Sequence, residues 1–488
     1  MTSFLGIDVG TTGCKVVAVD DQGIRHRAYE EYPLSIPEPG AVELETELVW
    51  QALRGAIRQV TGECNQPPEA LCVSVLGEAV TAVGNDRKPL APTMASLDKR
   101  PNVYFERLFQ RISKEKVRRI TGLNPLPHYS IFKWMWISDN RPDIYNKAWK
   151  LLCYGELIAV RLGFEPLIDH SMAARTLALD RDRLNWSPEI LSAAEIEIEK
   201  LPEIVAPGTS VGRLSGDVSD DLGLAANAKL VVGGLDQACA AVGAGLELGG
   251  KSLLSVGTTG VLAEILPGKS QHLGAIPVIP HVTGSTKIAI AGTPAGGAAL
   301  RWFRDIVQPA TGSAINPDKP MTYLEIMDSV EDCSTDIIVI PHLGGSRIAF
   351  SDPDAKGAIV GLTFGTDRCE LVRGILEGVA FEIAIMAKVM RQEGFRVDEL
   401  IAVGGGSKSK LWLQIMADIL NVPIVSTGSA YVAAFGAARI AAEEMGIGLD
   451  PGLLVTRVRF DPSEESSDLY SDKRERFESV YQSLSRPN

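Results

Sequence analysis

The sequence is poor in cysteine and histidine, with seven of the first and six of the second in 488 residues. Cys14, Cys64, Cys72, Cys153, Cys239, Cys333 and Cys369 are scattered, odd in number and never spaced Cys-x-x-Cys. That reads as reduced thiols in a cytoplasmic protein rather than a disulfide scaffold or a zinc knuckle. The histidines form no His-Glu-x-x-His pair, which argues against a zinc hydrolase. Basic charge is also in deficit: 48 Lys and Arg against 61 Asp and Glu leave a net charge of -13. A nucleic-acid partner needs basic stripes and is not expected. No apolar run reaches the roughly 18 to 20 unbroken residues of a membrane span. Met1-Thr2-Ser3 leads straight into an apolar run with no basic region or cleavage site, so neither a leader nor a membrane partner is expected.

What is present is ordinary globular composition, 45% apolar and 22% charged, in a chain long enough for two domains of roughly 200 to 250 residues each. Apolar runs 4–9 and 14–20 flank the tetrapeptide Gly10-Thr11-Thr12-Gly13, and the same device recurs half a chain later, where "KSLLSV" and "VLAEIL" flank Gly257-Thr258-Thr259-Gly260. Trp50, Leu53, Ile57 and Val60 recur at helical spacing, 70–76 returns to strand, and 100–165 reads as mostly helical. "LVVGGLD" is a strand running into a small-residue helix. Strands follow near 286–291 and 336–341, then a long helix near 367–391. Next come a strand, the glycine turn Gly404-Gly405-Gly406-Ser407, and a helix with Leu413, Met416, Ala417 and Leu420 on one face. Glycine-rich sequence at 245–250 suggests a hinge. The expected division is 1–246, 247–460 and a polar tail, 461–488, ending in a short surface helix.

Each motif has a plain and a functional reading. Gly-Thr-Thr-Gly is either a tight hairpin or a concave anion site made of backbone N–H groups and small hydroxyls. Two copies, each between strands, favour a duplicated fold with a nucleotide held between the halves. Gly404 to Ser407 is a loose strand-to-helix turn or a platform for purine or ribose; the Gly-x-Gly-x-x-Gly fingerprint with a later acidic residue is absent. Asp236, at a strand end and a helix start, is an N-cap or a general base. Phosphoryl transfer needs little beyond positioning, charge neutralisation and one proton acceptor. On that reading Asp236 accepts the proton and Asp8 holds Mg²⁺ largely through water.

These segments together resemble the FGGY carbohydrate kinases, over nearly the whole chain from Asp8 to Arg439. "HYSIFKWMWISDN" is similar to the family's first signature through Lys133, Trp136, Asp139 and Asn140, with His128 off pattern. "KGAIVGLTFGTDRCELVRGILEGVAFE" resembles the second, with Gly374 where Ala or Ser is usual. The resemblance implies two ribonuclease-H-like α/β domains of the actin, hexokinase and sugar-kinase type with an interdomain cleft. It implies transfer of the ATP γ-phosphoryl group to a small sugar or polyol, with Mg²⁺. Thr11, Thr12, Lys15, Gly257, Thr258 and Thr259 would line the phosphates, and Gly404, Gly405, Gly406 and Ser407 would meet the nucleoside. Asp8 and Asp236 would serve the metal, with Asp236 also the base. "SLDKR" resembles the substrate motif, which places Asp98 and Arg100 near sugar hydroxyls, although Ser96 replaces the usual Trp. Arg347 is carried over to phosphate or substrate. Glu78 stands where xylulokinases have a sugar-contacting His. A carboxylate there suits a neutral ketose or polyol and would repel an aldonate such as gluconate. Family habit allows a homodimer.

Overall fold

The computed structural model describes residues 2–307, 323–328, 330, 334–350, 352, 354–454 and 458–484. The chain forms two compact units. The first comprises 1–245, 265–289 and 431–454; the second comprises 246–264, 290–430 and 455–488. The first break thus falls at the glycine-rich hinge. The later segments 265–289 and 431–454, expected in the second half, belong to the first unit.

In the first unit, strands β1 (Phe4–Val9), β2 (Gly13–Asp20), β3 (Gly23–Glu31), β4 (Ala70–Val75), β5 (Ser210–Arg213) and β6 (Lys229–Leu235) form one sheet in the order β5-β6-β4-β1-β2-β3. β1, β2 and β3 pair antiparallel as a meander, whereas β4 and β6 join parallel to the far side of β1. β1, β4 and almost all of β6 are buried apolar runs, as strands covered on both faces must be. Helix α1 (Thr46–Gly62) buries Leu53, Ile57 and Val60. Helix α2 (Asp236–Ala244) continues directly from β6, and α3 (Val432–Glu444) crosses it closely. A Cβ on Gly436 would lie 1.9 Å from the Cys239 carbonyl oxygen, and one on Gly243 would lie 2.0 Å from that of Val432. Small residues at this crossing are what tie segment 431–454 to the first unit.

The second unit repeats the scheme. β7 (Ser252–Val256) pairs antiparallel with β8 (Gly260–Pro267) and parallel with β9 (Leu400–Val403), which pairs parallel with β10 (Ile424–Ser426) and then antiparallel with β11 (Val458–Phe460). Helix α4 (Arg368–Gln392) supplies most of the helical core.

Two expectations need correction. The segment 461–488 is no polar tail, since Glu464–Leu484 is a 21-residue helix, α5, that packs into this core. Phe477 is fully buried with its ring 5.5 Å from that of Phe381, and Tyr481 stacks on Phe350 at 3.6 Å. Its few apolar anchors, Tyr470, Phe477 and Tyr481, were outnumbered by charge in the sequence. Cys14, Cys64, Cys72, Cys153 and Cys239 are free, but Cys369 is disulfide-bonded, so the thiols are not all reduced; Cys333 lies outside the described residues. In addition, two familiar strings occur in the wrong setting. Gly245 to Ser252 spells Gly-x-x-x-x-Gly-Lys-Ser, yet it leaves a helix and enters a strand, the reverse of a phosphate-binding loop. Gly208 to Gly212 spells Gly-x-Ser-x-Gly, yet Ser210 opens an edge strand rather than a strand-to-helix elbow. Among the described residues no helix is long and apolar enough to cross a membrane.

Candidate active site

The site in the first unit starts from one rung of the sheet. Asp8 on β1 lies in register with Lys15 on β2 and with Ser74 on β4. Its Oδ2 accepts from Lys15 Nζ at 3.2 Å and its Oδ1 from Ser74 Oγ at 3.0 Å. The Asp8 charge raises the Lys15 ammonium above the ordinary lysine range despite burial. Thr11 and Thr12 lie half-buried in the turn that follows, which is pinned by Tyr32: its Oη donates to the Gly10 carbonyl at 2.7 Å and its N–H to that of Thr12 at 3.3 Å.

Asp236 is the first residue of α2. Burial pushes its carboxyl up to about 7, with the Asp8 and Glu78 charges adding to the rise and the Gln237 N–H and Arg175 opposing it. The Asp8 charge thus reaches Asp236, and a carboxyl poised near neutrality suits a general base.

Beside them, Glu78 is buried and holds a left-handed backbone at φ 60; six other described non-glycine residues also have a positive φ. Arg175 donates to Glu78 Oε1 from Nε at 2.5 Å and also through Nη2. Arg175 lies over the Tyr129 ring at 5.1 Å, and His128 Nε2 is 4.0 Å from Glu78. Lys133 is fully buried and donates to the His128 carbonyl at 2.8 Å. Burial lowers its ammonium to about 8, an effect the Glu78 and Asp98 carboxylates resist. Asp98 is buried and its partner Arg100 half-buried, so the two are not a surface pair. Asp98 accepts from Val42 N and Arg100 N, and from the Arg100 guanidinium, whose Nη2 donates at 2.6 Å and also reaches Glu43 at 2.6 Å. The structure therefore brings Asp8, Lys15 and Ser74 into contact, sets Asp236 within the field of Asp8 and Glu78, and sets Lys133 within the field of Glu78 and Asp98. Sequence reading missed Arg175, whose setting in "MAARTL" carries no local signal. It also treated Glu78 as a bare carboxylate, whereas Arg175 compensates its charge.

The second unit brings a different set together. The Gly257 to Gly260 turn is gripped by the start of helix α6 (Gly297–Val307): Gly297 N donates to the Gly257 carbonyl at 2.8 Å and Ala298 N to that of Thr258 at 3.1 Å. A Cβ on Gly296 would lie 2.6 Å from the Thr259 carbonyl carbon. Gly404, with φ 89, brings the end of β9 against the end of β7, where a Cβ would lie 2.8 Å from the Val256 carbonyl oxygen. Gly405 to Lys408 is a 3₁₀ turn and not yet the helix; α7 (Lys410–Leu420) starts after the Ser409 cap. Gly406 is packed against Val256 and Trp412, while the Cβ position of Gly405 faces open space. The Ser407 hydroxyl donates to the Gly404 carbonyl at 2.7 Å, so it braces the turn. Behind it, buried Glu382 accepts from Thr293 Oγ1 at 3.1 Å and Ser346 Oγ at 3.0 Å and lies 2.7 Å from His342 Nε2. This anchors the strand that leads into Gly296. Arg347, next to Ser346, is half-buried.

Comparison with known proteins accounts for both units. The N-terminal domain of the FGGY family of carbohydrate kinases matches residues 3–243 and its C-terminal domain matches 253–445. The chain is 28% identical over 490 residues to a xylulose kinase of Escherichia coli, covering 99% of each, and 28% identical over 440 residues to a gluconokinase of Bacillus subtilis, covering 87% of this chain and 84% of that one. The structure of a gluconate kinase from Lactobacillus acidophilus superposes with a TM-score of 0.85 at 23% identity, covering 99% of this chain and 98% of that one. The chain belongs to the FGGY family of carbohydrate kinases, with that family's two-domain α/β fold, and is an ATP-dependent enzyme that phosphorylates a sugar.

Proposed function

We propose that the acceptor is a small neutral ketose of the xylulose type, or a related polyol, and that Asp236 takes the proton from the attacking hydroxyl. The observation that carries this is Asp236 itself, a carboxyl raised to about 7 at the end of β6 and within the field of Asp8, Glu78 and Arg175. Ionised, it accepts the hydroxyl proton; the hydroxyl oxygen then attacks the γ-phosphorus, and ADP leaves. Asp98, Arg100, Glu78 and the Arg175 and Lys133 beside them would bind the sugar hydroxyls. Lys15, Thr11, Thr12, Gly257, Thr258 and Thr259 would line the phosphates, and Gly404 to Ser407 would meet the nucleoside, for which the open side of Gly405 leaves room.

Among the described residues no group of three or more His, Cys, Asp or Glu side chains could cage a metal. A pair of carboxylates such as Asp8 and Asp236 fits Mg²⁺, which is held by one or two carboxylates, water and phosphate oxygens. Asp8 and Asp236 are the residues that would hold it, and it would supply charge neutralisation on the phosphates.

Compensation of Glu78 by Arg175 weakens rejection of an aldonate, so gluconate is the second reading, supported also by the gluconokinase relative. The test is ADP release with Mg²⁺ and ATP against D-xylulose, other neutral ketoses, glycerol and D-gluconate, with a blank lacking sugar. Stimulation by a neutral ketose or polyol is expected. Stimulation by gluconate alone would transfer the assignment to the second reading.

A further inference from the structure

The segment that delivers Asp236 is irregular. β6 pairs parallel with β4 but shifts register between Val231 and Gly234, after which Gly234 stands opposite Ser74 and Leu235 opposite Val75. Ser74 is the residue that hydrogen-bonds Asp8. The shift therefore sets Leu235 beside the Ser74 rung and puts Asp236 two positions past it, at the strand end. At this point the Leu235 N–H is received by a side chain, the Ser171 hydroxyl, at 3.1 Å. Ser171 is fully buried, and so is Asp169, which is 1% exposed and caps the turn that carries Ser171. Asp169 accepts from the backbone N–H groups of Ser171 at 2.7 Å and Met172 at 3.0 Å, which caps the short helix His170–Ala174. That cap needs only the two main-chain N–H groups. The Ser171 side chain is spare for capping, yet it is the part that reaches β6.

The packing around this contact leaves no slack. A Cβ on Gly234 would lie 2.6 Å from Ser171 Oγ, 2.9 Å from Asp169 Oδ2 and 2.5 Å from Val282. One turn into α2, the Ala238 carbonyl lies 3.2 Å from His281 Nε2. The peptide before Asp236 is thus fixed from one side and the helix after it from the other.

We infer that Ser171, oriented by Asp169, is a positioning residue for phosphoryl transfer: by taking the Leu235 N–H it holds the shifted end of β6 so that Asp236 faces Asp8. The inference rests on the reading of Asp236 as the base. Removing the hydroxyl leaves a buried N–H without an acceptor, which a shift of the strand end would relieve at the expense of the Asp236 geometry.

The test uses the full-length protein with Mg²⁺-ATP and whichever of D-xylulose, D-gluconate and glycerol gives the highest turnover. Ser171→Ala, Asp169→Asn and Asp236→Asn are compared for kcat, for both KM values and for thermal midpoint. Ser171→Ala is expected to lower kcat about tenfold or more, since small misplacements of a reacting group are costly, with both KM values within about threefold of wild type. Asp169→Asn, which keeps one carbonyl oxygen for the Ser171 and Met172 N–H groups and leaves the hydroxyl in place, is expected to lose less and serves as the second variant should Ser171→Ala fail to fold. Wild-type kcat in both, or a kcat loss matched by rising KM values, would overturn the inference while an inactive Asp236→Asn left the base assignment standing. Normal turnover in Asp236→Asn would instead overturn that assignment.

Discussion

In the first unit, Gly10 to Gly13 closes a hairpin in which Asp8 faces Lys15; in the second, Gly257 to Gly260 closes one in which Ser255, at the corresponding place, faces Val261. The tetrapeptides are identical but the turns differ by one residue. Val9 pairs with Cys14 in the first, whereas Val256 pairs with Gly260 in the second. A one-residue change of register alters every cross-strand partner. What grips each turn accounts for the difference: Tyr32 holds the Gly10 and Thr12 carbonyls, while Gly297 and Ala298 hold those of Gly257 and Thr258. The first turn thus presents charged side chains on its flanking strands, and the second presents backbone enclosed by glycines. One motif flanks a charged Asp8–Lys15 pair in one unit and a glycine-lined backbone turn in the other.

The strongest test of that contrast is Asp236→Asn, expected to lower sugar-dependent ADP release by about 10³-fold or more if the base is lost, with ATP binding by calorimetry retained. Next is a matched pair at corresponding positions. Asp8→Ala is expected to lower kcat by about 10²-fold, the scale of losing one preorganised electrostatic group, whereas Ser255→Ala should stay near wild type. Comparable losses in both would mean the two turns do the same work. The pH profile comes third. Asp236 must be ionised to act and is raised to about 7, so kcat/KM for the sugar should fall about tenfold per unit once the pH drops well below that value and level off above it. A profile flat from pH 5 to 8, roughly the range over which such a base would titrate, would remove Asp236 from the role. The smallest effect belongs to the glycine turn. Gly406→Ala should cost about 1–3 kcal/mol of stability by overpacking against Val256 and Trp412. Gly405→Ala, at an open position, should leave the thermal midpoint unchanged and weaken ADP binding only a few-fold. No change in ADP affinity would place the nucleoside elsewhere.

Much of the fold was legible in the sequence because it is written in local periods. The β1 and β2 runs, the helical face of Leu53, Ile57 and Val60, the strand ending at Leu235, and the helix at Arg368–Gln392 all follow from apolar spacing. Helix α5 was misread because its burial depends on Phe381 and Phe350, partners distant in sequence. Asp8 and Asp236 stood out as candidates because each ends or follows an apolar strand beside small residues. Arg175, Lys133's burial and the Asp169–Ser171 contact were not, since each acquires its role only through a neighbour brought from another segment.

By itself the sequence determined a duplicated α/β chain with two identical turns, a strand-end aspartate in one half and a glycine turn in the other, because strand, turn and helix signals act over a few residues. Only the tertiary structure decided what those elements face. It set Asp8 opposite Lys15 and Ser74, neutralised Glu78 with Arg175, shifted β6 so that Asp236 stands two positions past the Ser74 rung, and gave the second turn a different register. Register, burial and charge compensation are properties of pairs of segments, and no single segment carries them.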